Sequence, residues 1–174
     1  MRRSAIRKQL RIRGGQLRLW WLGVEAGVAR TLRMRGLYRR HLCALVRASG
    51  LFDAEWYLES NADVGASGMD ALEHYVRFGD REGRQPMPLF EPAYYRAHAG
   101  AVPPGTNALL HYLYDGRFRK VSPSAWFDVD FSLRQNRDVA RSGEDPLRHY
   151  LREGGIAGRS PSRQFDAAFY LRTN

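Results

Sequence analysis

Apolar residues recur three and four positions apart in three short segments, which is the spacing of residues on one face of an α-helix. A capping residue, Asp70, Asn107 or Asp145, stands two positions before each apolar run, where its side chain can accept hydrogen bonds from the first backbone N–H groups. We therefore predict three amphipathic helices of one design. Their apolar positions are Leu72, Tyr75 and Val76, then Leu109, Tyr112 and Leu113, then Leu147, Tyr150 and Leu151.

These helices belong to a longer repeat. A phenylalanine followed by an acidic residue recurs at steps of 38, 37 and 38 residues, and each acid is predicted to cap a further helix. A tyrosine five residues after the phenylalanine has the spacing of a hydrophobic staple, but Ser132 takes this place in the third repeat. The phenylalanines are Phe52, Phe90, Phe127 and Phe165, the acids Asp53, Glu91, Asp128 and Asp166, and the tyrosines Tyr57, Tyr95 and Tyr170.

A helix pair of this length cannot bury its apolar stripe alone, whereas stacked neighbours can. We therefore predict an all-α fold, a short α-helical repeat stack with two helices per unit of roughly 38 residues, preceded by a basic amphipathic helix. Because the last repeat lacks a second helix, we expect the chain to continue beyond it. The predicted divisions are a basic flexible arm at 1–15, the basic helix at 16–50 and a repeat domain at 51–174, with repeats 1 to 4 at 51–88, 89–124, 125–162 and, in part, 163–174.

Several recurring residues receive structural roles. Glycines after the second helices are predicted to end them in the left-handed conformation, at Gly79, Gly116 and Gly154. The histidines of successive repeats are too far apart for a metal site and are predicted to face a carbonyl or a neighbouring repeat, at His74, His111 and His149. The predicted repeat core is Phe52, Tyr57, Leu72, Tyr75, Phe90, Tyr95, Leu109, Tyr112, Phe127, Leu147, Tyr150 and Phe165.

Charge is distributed unevenly along the chain. Residues 1–50 contain thirteen Lys and Arg against the single acid Glu25, whereas residues 51–174 contain fifteen basic and seventeen acidic residues. Any attraction to phosphate or anionic lipid should therefore arise in the N-terminal segment. The single cysteine, Cys43, is predicted to be a small buried hydrophobe.

Two interpretations of the basic segment stay open. In one, it lies on an anionic membrane surface or a partner, with Trp20 and Trp21 at the apolar boundary; in the other, it is the first helix of the stack with a solvated basic face. Nucleic acid is the less favoured partner, because no nucleic-acid motif is present. The run from Leu19 to Ala29 is too short to span a bilayer. The residues predicted to form the membrane or partner surface are Arg11, Arg13, Arg18, Trp20, Trp21, Arg30 and Arg33.

Catalytic and cofactor motifs are not found. The chain has no phosphate-binding glycine loop, HExxH or GxSxG motif, so no catalytic, metal or cofactor residues are assigned. The pair Asp128 and Asp130 has the spacing of a metal site in glycosyltransferases, but Asp128 is already explained as a helix cap. We therefore expect no enzyme within these residues.

The repeats resemble a known family of units. The stretches at 51–58, 61–64, 145–154 and 158–161 are similar to the FD-x-x-WYL, NPDV, DPL-x-HYL and GR-x-P motifs of helical repeats in proteobacterial polysaccharide-biosynthesis proteins. The resemblance covers residues 51–174, and repeat 2 departs from it at 99–102 and 117–120. In that family the units usually precede a glycosyltransferase domain, so the resemblance implies cell-surface polysaccharide synthesis on the cytoplasmic side of a bacterial inner membrane.

The sequence thus favours a non-catalytic helical repeat scaffold that is the N-terminal module of a bacterial glycosyltransferase. Its expected partners are a downstream catalytic domain or another protein, together with an anionic membrane surface reached by the basic segment. The alternative is a stand-alone protein-interaction adaptor unrelated to sugar chemistry. We expect a cytoplasmic protein, peripheral at the inner membrane in the first case.

Overall fold

The computed structural model describes residues 32–167 together with Phe169 and Arg172, and these residues form an all-α fold of short packed helices. Each of repeats 1 to 3 has the two predicted helices, which we call the first and second helix. The first helices are Ala54–Ser60, Pro92–His98 and Val129–Gln135. The second helices begin at Ala71–His74, Ala108–His111 and Pro146–His149 and continue as the π-helical turns Tyr75–Gly79, Tyr112–Gly116 and Tyr150–Gly154.

The predicted caps begin most of these helices. Asp53, Asp128 and Asp166 each accept a hydrogen bond from the backbone N–H three residues later. Glu91 is the exception and makes no side-chain cap bond, so its predicted role is wrong. Its carboxylate stands one methylene further from the backbone, and the fixed φ of Pro92 at the start of the helix favours the helical conformation without it. The caps of the second helices, Asp70, Asn107 and Asp145, accept in the same way.

The glycines at the ends of the second helices do not adopt the left-handed conformation, which corrects the prediction. Gly79, Gly116 and Gly154 lie inside the π-helical turns. Positive φ angles occur four residues further on instead, at Gly83 (φ 76°), Lys120 (φ 59°) and Gly158 (φ 68°). The chain turns at these positions. The backbone N–H of the acid before each first helix donates to a proline carbonyl at the end of the same repeat, for example Asp53 to Pro86 at 3.1 Å.

Repeats 1 and 3 contain a third short helix that the sequence pattern did not predict, Ala62–Ser67 and Arg137–Ser142. In both repeats an arginine near the repeat's end reaches back to an aspartate in this helix, through two hydrogen bonds of 2.7 Å from Arg84 to Asp63 and bonds of 2.9 and 3.2 Å from Arg159 to Asp138. Repeat 2 has neither the helix nor the pair, because Ala101 and Val121 occupy the equivalent positions.

Most of the predicted repeat core is buried. Nine of its residues are less than 9% exposed: Tyr57, Leu72, Tyr75, Phe90, Tyr95, Leu109, Tyr112, Phe127 and Leu147. Phe52 and Tyr150 are only partly buried. Phe165 is 38% exposed, contrary to the prediction, because the second-helix tyrosine that packs against Phe52, Phe90 and Phe127 has no counterpart after it among the described residues.

A helix at Leu32–Ser49 precedes repeat 1 and ends at Gly50, whose φ is 69°. The chain forms two compact units with their boundary after Tyr38. All the repeats belong to the second unit, Arg39–Asn174. Within that unit Leu42 and Val46 are buried. Cys43 is half-buried, so the prediction of a buried hydrophobe is correct only in part, and desolvation is the main cause that raises the pKa of its thiol.

Candidate functional site

The predicted membrane or partner surface falls mainly outside the described residues. This applies to Arg11, Arg13, Arg18, Trp20, Trp21 and Arg30, whose placement therefore stays a prediction. Arg33 lies in the helix Leu32–Ser49, but its side chain is not among those described. Of the basic residues further along that helix, Arg40 and Arg47 are exposed.

A tyrosine–histidine pair links the two helices of repeats 1 and 2. The Tyr57 hydroxyl lies 3.0 Å from His74 Nδ1, and the Tyr95 hydroxyl lies 2.7 Å from His111 Nδ1. Burial raises the pKa of Tyr57 to about 12, so the hydroxyl keeps its proton at neutral pH. His74 and His111 therefore bond to a tyrosine of their own repeat, because its hydroxyl lies within hydrogen-bond distance of the ring nitrogen. The prediction that they face a carbonyl or a neighbouring repeat is wrong.

Repeat 3 has the histidine without the tyrosine. Ser132 stands where Tyr57 and Tyr95 stand in the earlier repeats, and it is 5% exposed. His149 is 7% exposed and its Nε2 lies 3.5 Å from a carboxylate oxygen of Glu153. The third repeat therefore combines an unchanged histidine with a much smaller neighbour.

Polar contacts also join successive repeats. Buried Asp80 of repeat 1 accepts hydrogen bonds from Arg96 and from the backbone N–H of Ala108, both in repeat 2. At the next junction the Tyr112 hydroxyl donates to buried Asp145 at 3.4 Å. Burial is the main cause that raises the pKa of the Asp145 carboxyl, and hydrogen bonds from the Arg148 backbone and Tyr112 oppose the rise. These groups serve the stacking of repeats.

The acidic residues considered for chemistry are occupied by helix starts and ion pairs. Asp128 caps its helix through the N–H of Phe131, while exposed Asp130 lies 4.0 Å from the amine of Lys120. Among the described residues, no group of three or more His, Cys, Asp and Glu side chains is placed to hold a metal ion.

Several large apolar side chains are exposed on the repeats. Phe118 of repeat 2 and Ile156 of repeat 3 occupy equivalent positions just after the π-helical turns and are 61% and 85% exposed. Trp126, at the start of repeat 3, is 56% exposed. Exposed apolar groups at repeat-equivalent positions are candidates for contact with a partner.

Sequence reasoning missed the residues that link helices and repeats through charge. Arg84 and Asp63 recur in register as Arg159 and Asp138, and both members are replaced together in repeat 2. The joint replacement of both residues in repeat 2 was the sequence signal that they form a pair. Asp80 carried no such signal, because Arg117 and Gly155 stand at the equivalent positions of repeats 2 and 3.

No described helix is long and apolar enough to cross a membrane. No protein-family model, curated protein or solved structure matches the chain.

Proposed function

We propose that the chain is a non-catalytic helical repeat scaffold and the N-terminal module of a bacterial glycosyltransferase in cell-surface polysaccharide biosynthesis. The scaffold function is supported by the structural roles of the recurring polar residues. Asp53 and Asp128 cap helices, and the histidines of repeats 1 and 2 bond to tyrosines. Arg84 and Arg159 hold the third helices. The link to sugar transfer rests on the resemblance of the repeat motifs.

The basic N-terminal segment supplies attachment in this proposal. The segment carries an excess of twelve positive charges, whereas the repeat domain has a net charge of −2. Each Lys or Arg near an anionic membrane surface contributes about 1 kcal/mol of binding. The segment therefore holds the module at the inner membrane surface, where the repeats position a catalytic domain or a partner.

Flotation with vesicles tests the attachment. The full chain is compared with a variant in which Arg11, Arg13, Arg18 and Arg30 are changed to Gln, using vesicles with and without anionic phospholipid. We expect the full chain to float with anionic vesicles only, and the variant to partition on the order of a thousandfold more weakly because four charges of about 1 kcal/mol each are lost.

The matched control removes four exposed arginines from the repeats, Arg81, Arg134, Arg137 and Arg141, again as Gln. This variant should float like the unchanged chain. Equal flotation of all three proteins, or equal loss in both variants, contradicts attachment by the basic segment.

A stand-alone protein-interaction adaptor is the second candidate, and the exposed side chains of Phe118 and Ile156 favour it. The two candidates differ in whether the native polypeptide continues past Asn174 into a catalytic domain. The intact mass of the native protein decides between them: a mass well above 20 kDa with a nucleotide-sugar-binding fold downstream supports the glycosyltransferase module, and a mass of 20 kDa supports the adaptor.

A further inference from the structure

The junctions between successive repeats follow one pattern. The second-helix tyrosine of the earlier repeat, Tyr75 or Tyr112, is fully buried. The Tyr112 hydroxyl donates to Asp145, which caps the second helix of repeat 3. Asn107 is the corresponding cap of repeat 2, and its side chain lies beside the Tyr75 hydroxyl. Each repeat thus covers the tyrosine of the repeat before it with the start of its own second helix.

The pattern is incomplete after repeat 3. Tyr150, the third tyrosine of this series, is only partly buried, and its hydroxyl makes no hydrogen bond within the described part of the chain. Phe127, whose ring centroid lies 5.5 Å from that of Tyr150, is fully buried, and Ser132 is 5% exposed. The exposed part of Tyr150 therefore does not face the core of its own repeat. It lies on the side that a following repeat covers at the two earlier tyrosines.

Phe165 shows the same opening at the next step along the stack. Its equivalents Phe90 and Phe127 are fully buried, and each contacts the second-helix tyrosine of its own repeat, with the Phe90 and Tyr112 centroids 5.6 Å apart. Phe165 is 38% exposed. We call the exposed surface of Tyr150 and Phe165 the end face. A second helix laid on it would bring a cap residue to Tyr150 and a tyrosine to Phe165.

The earlier junctions define which helix fits the end face. It needs an Asp or Asn cap to accept from the Tyr150 hydroxyl, a leucine two residues after the cap, and a tyrosine five residues after the cap to cover Phe165. The second helices of another copy of the chain are not free to supply it. Their leucines, Leu72, Leu109 and Leu147, are at most 4% exposed, so these helices are already held in their own stack.

We propose that the end face docks an amphipathic helix of a partner protein that has the design of the second helices. The cap oxygen of this helix accepts a hydrogen bond from Tyr150, and its tyrosine packs against Phe165. Burial of aromatic surface drives the contact, and the hydrogen bond fixes the register of the helix. The site goes beyond the scaffold function because it determines which helix the scaffold binds.

A synthetic peptide that copies residues 136–159 is the probe, because it carries a cap, a leucine and a tyrosine at the required spacing. Its binding to the full chain is followed by the fluorescence anisotropy of a labelled peptide. We expect saturable binding. A peptide with Asp145→Ala lacks both the helix cap and the acceptor for the Tyr150 hydroxyl of the chain, so it should bind on the order of tenfold more weakly.

Variants of the full chain locate the peptide. Phe165→Arg should abolish binding, and Tyr150→Phe, which removes only the hydroxyl, should weaken it by about threefold to tenfold. Ile156→Arg is the matched control and should bind the peptide like the unchanged chain. Its equivalent Phe118 stays 61% exposed although repeat 3 follows it, so this position lies outside the junction. Should Phe165→Arg fail to fold, Tyr150→Phe still provides the test, because it keeps the ring.

Three results overturn the proposal: binding that does not saturate, equal loss in Phe165→Arg and Ile156→Arg, or equal affinity of the peptide with Asp145→Ala. A dimer of the unchanged chain in analytical ultracentrifugation that Phe165→Arg abolishes also overturns it, since a second copy would then occupy the end face.

Discussion

At the scale of single residues, two kinds of glycine recur among the repeats for different physical reasons. Gly83 and Gly158 adopt positive φ, which costs an L-residue energy, whereas Gly79 and Gly116 lie in π-helical turns with ordinary dihedrals. The latter are glycines because a tyrosine hydroxyl from the first helix packs where a Cβ would be. Close approach of two helices, not backbone conformation, therefore explains the recurring glycine.

This difference predicts the effect of alanine at each repeat. Gly79→Ala and Gly116→Ala should each lower the free energy of unfolding by about 1–3 kcal/mol, because the added methyl group overlaps a buried tyrosine. Gly154→Ala should cost less than about 1 kcal/mol, because no tyrosine hydroxyl overlaps the added methyl group, the nearest atom is Cδ2 of the partly buried Tyr150 at 3.0 Å, and alanine favours the helix. Urea unfolding of the three variants measures this, and equal losses would contradict the assigned cause.

Lys120 stands at the positive-φ position that glycine occupies in repeats 1 and 3. Its side chain is 58% exposed and lies 4.0 Å from Asp130, a pair of small energetic value. Lys120→Gly should therefore raise the free energy of unfolding by about 0.5–1 kcal/mol through relief of backbone strain. The reverse change, Gly83→Lys, is the control and should lower it by a similar amount; a destabilised Lys120→Gly protein would contradict this account.

At the scale of elements, the junctions between repeats depend on a second-helix tyrosine and the cap of the next second helix. Tyr75 is buried against the Asn107 side chain and Tyr112 against Asp145. Burial raises the pKa of both tyrosine hydroxyls well above the usual range. Tyr150 has no following cap among the described residues and is only partly buried. The burial of each tyrosine thus follows from its neighbour along the stack.

The Asp145 junction should make stability depend on pH. Because burial raises the folded-state pKa of Asp145 above its unfolded value of about 3.9, its contribution to stability is present below that value and is lost as pH rises through the folded pKa. Asp145→Asn removes the buried charge while keeping an oxygen for the Arg148 N–H, so it should stabilise the protein more at pH 7 than at pH 4.

Asp70 caps the second helix of repeat 1 and is exposed, so the same substitution at Asp70 supplies the control for that experiment. Asp70→Asn makes the same substitution at an exposed cap, so it separates the general effect of replacing a cap carboxylate from the effect of burial at Asp145. Thermal unfolding of both variants at pH 4 and pH 7 gives the comparison. A pH-independent effect of Asp145→Asn would show that its carboxylate is not disfavoured by burial.

Sequence patterns predicted the elements better than the contacts between them. The caps at Asp53 and Asp128 and the apolar stripes followed from spacing alone, because these interactions are local. The role of Gly79 and the link from Asp80 to Arg96 depend on residues brought together by packing, which spacing does not reveal. The third helices were missed because six residues give too short a period to detect.

At the scale of the whole molecule, the described repeats form a stack in which recurring aromatic and polar residues hold neighbours together. The replacement of a tyrosine by Ser132 in repeat 3 was visible in the sequence, whereas the contact between the Phe127 and Tyr150 rings, with centroids 5.5 Å apart, was not. Six of the seven residues of the proposed attachment surface precede Leu32 and lie outside the described residues, so a binding experiment is its test. The largest fully buried side chains of the described repeats are tyrosines, so we expect the stability of the stack to depend strongly on them.

Urea unfolding of Tyr112→Ala tests that dependence most directly, with Tyr150→Ala as the matched variant. Tyr112 is fully buried at the junction of repeats 2 and 3, so its truncation should lower the free energy of unfolding by about 3–5 kcal/mol. The partly buried Tyr150 should lose clearly less. An unfolding curve of Tyr112→Ala that coincides with that of the unchanged protein would contradict the repeat stack.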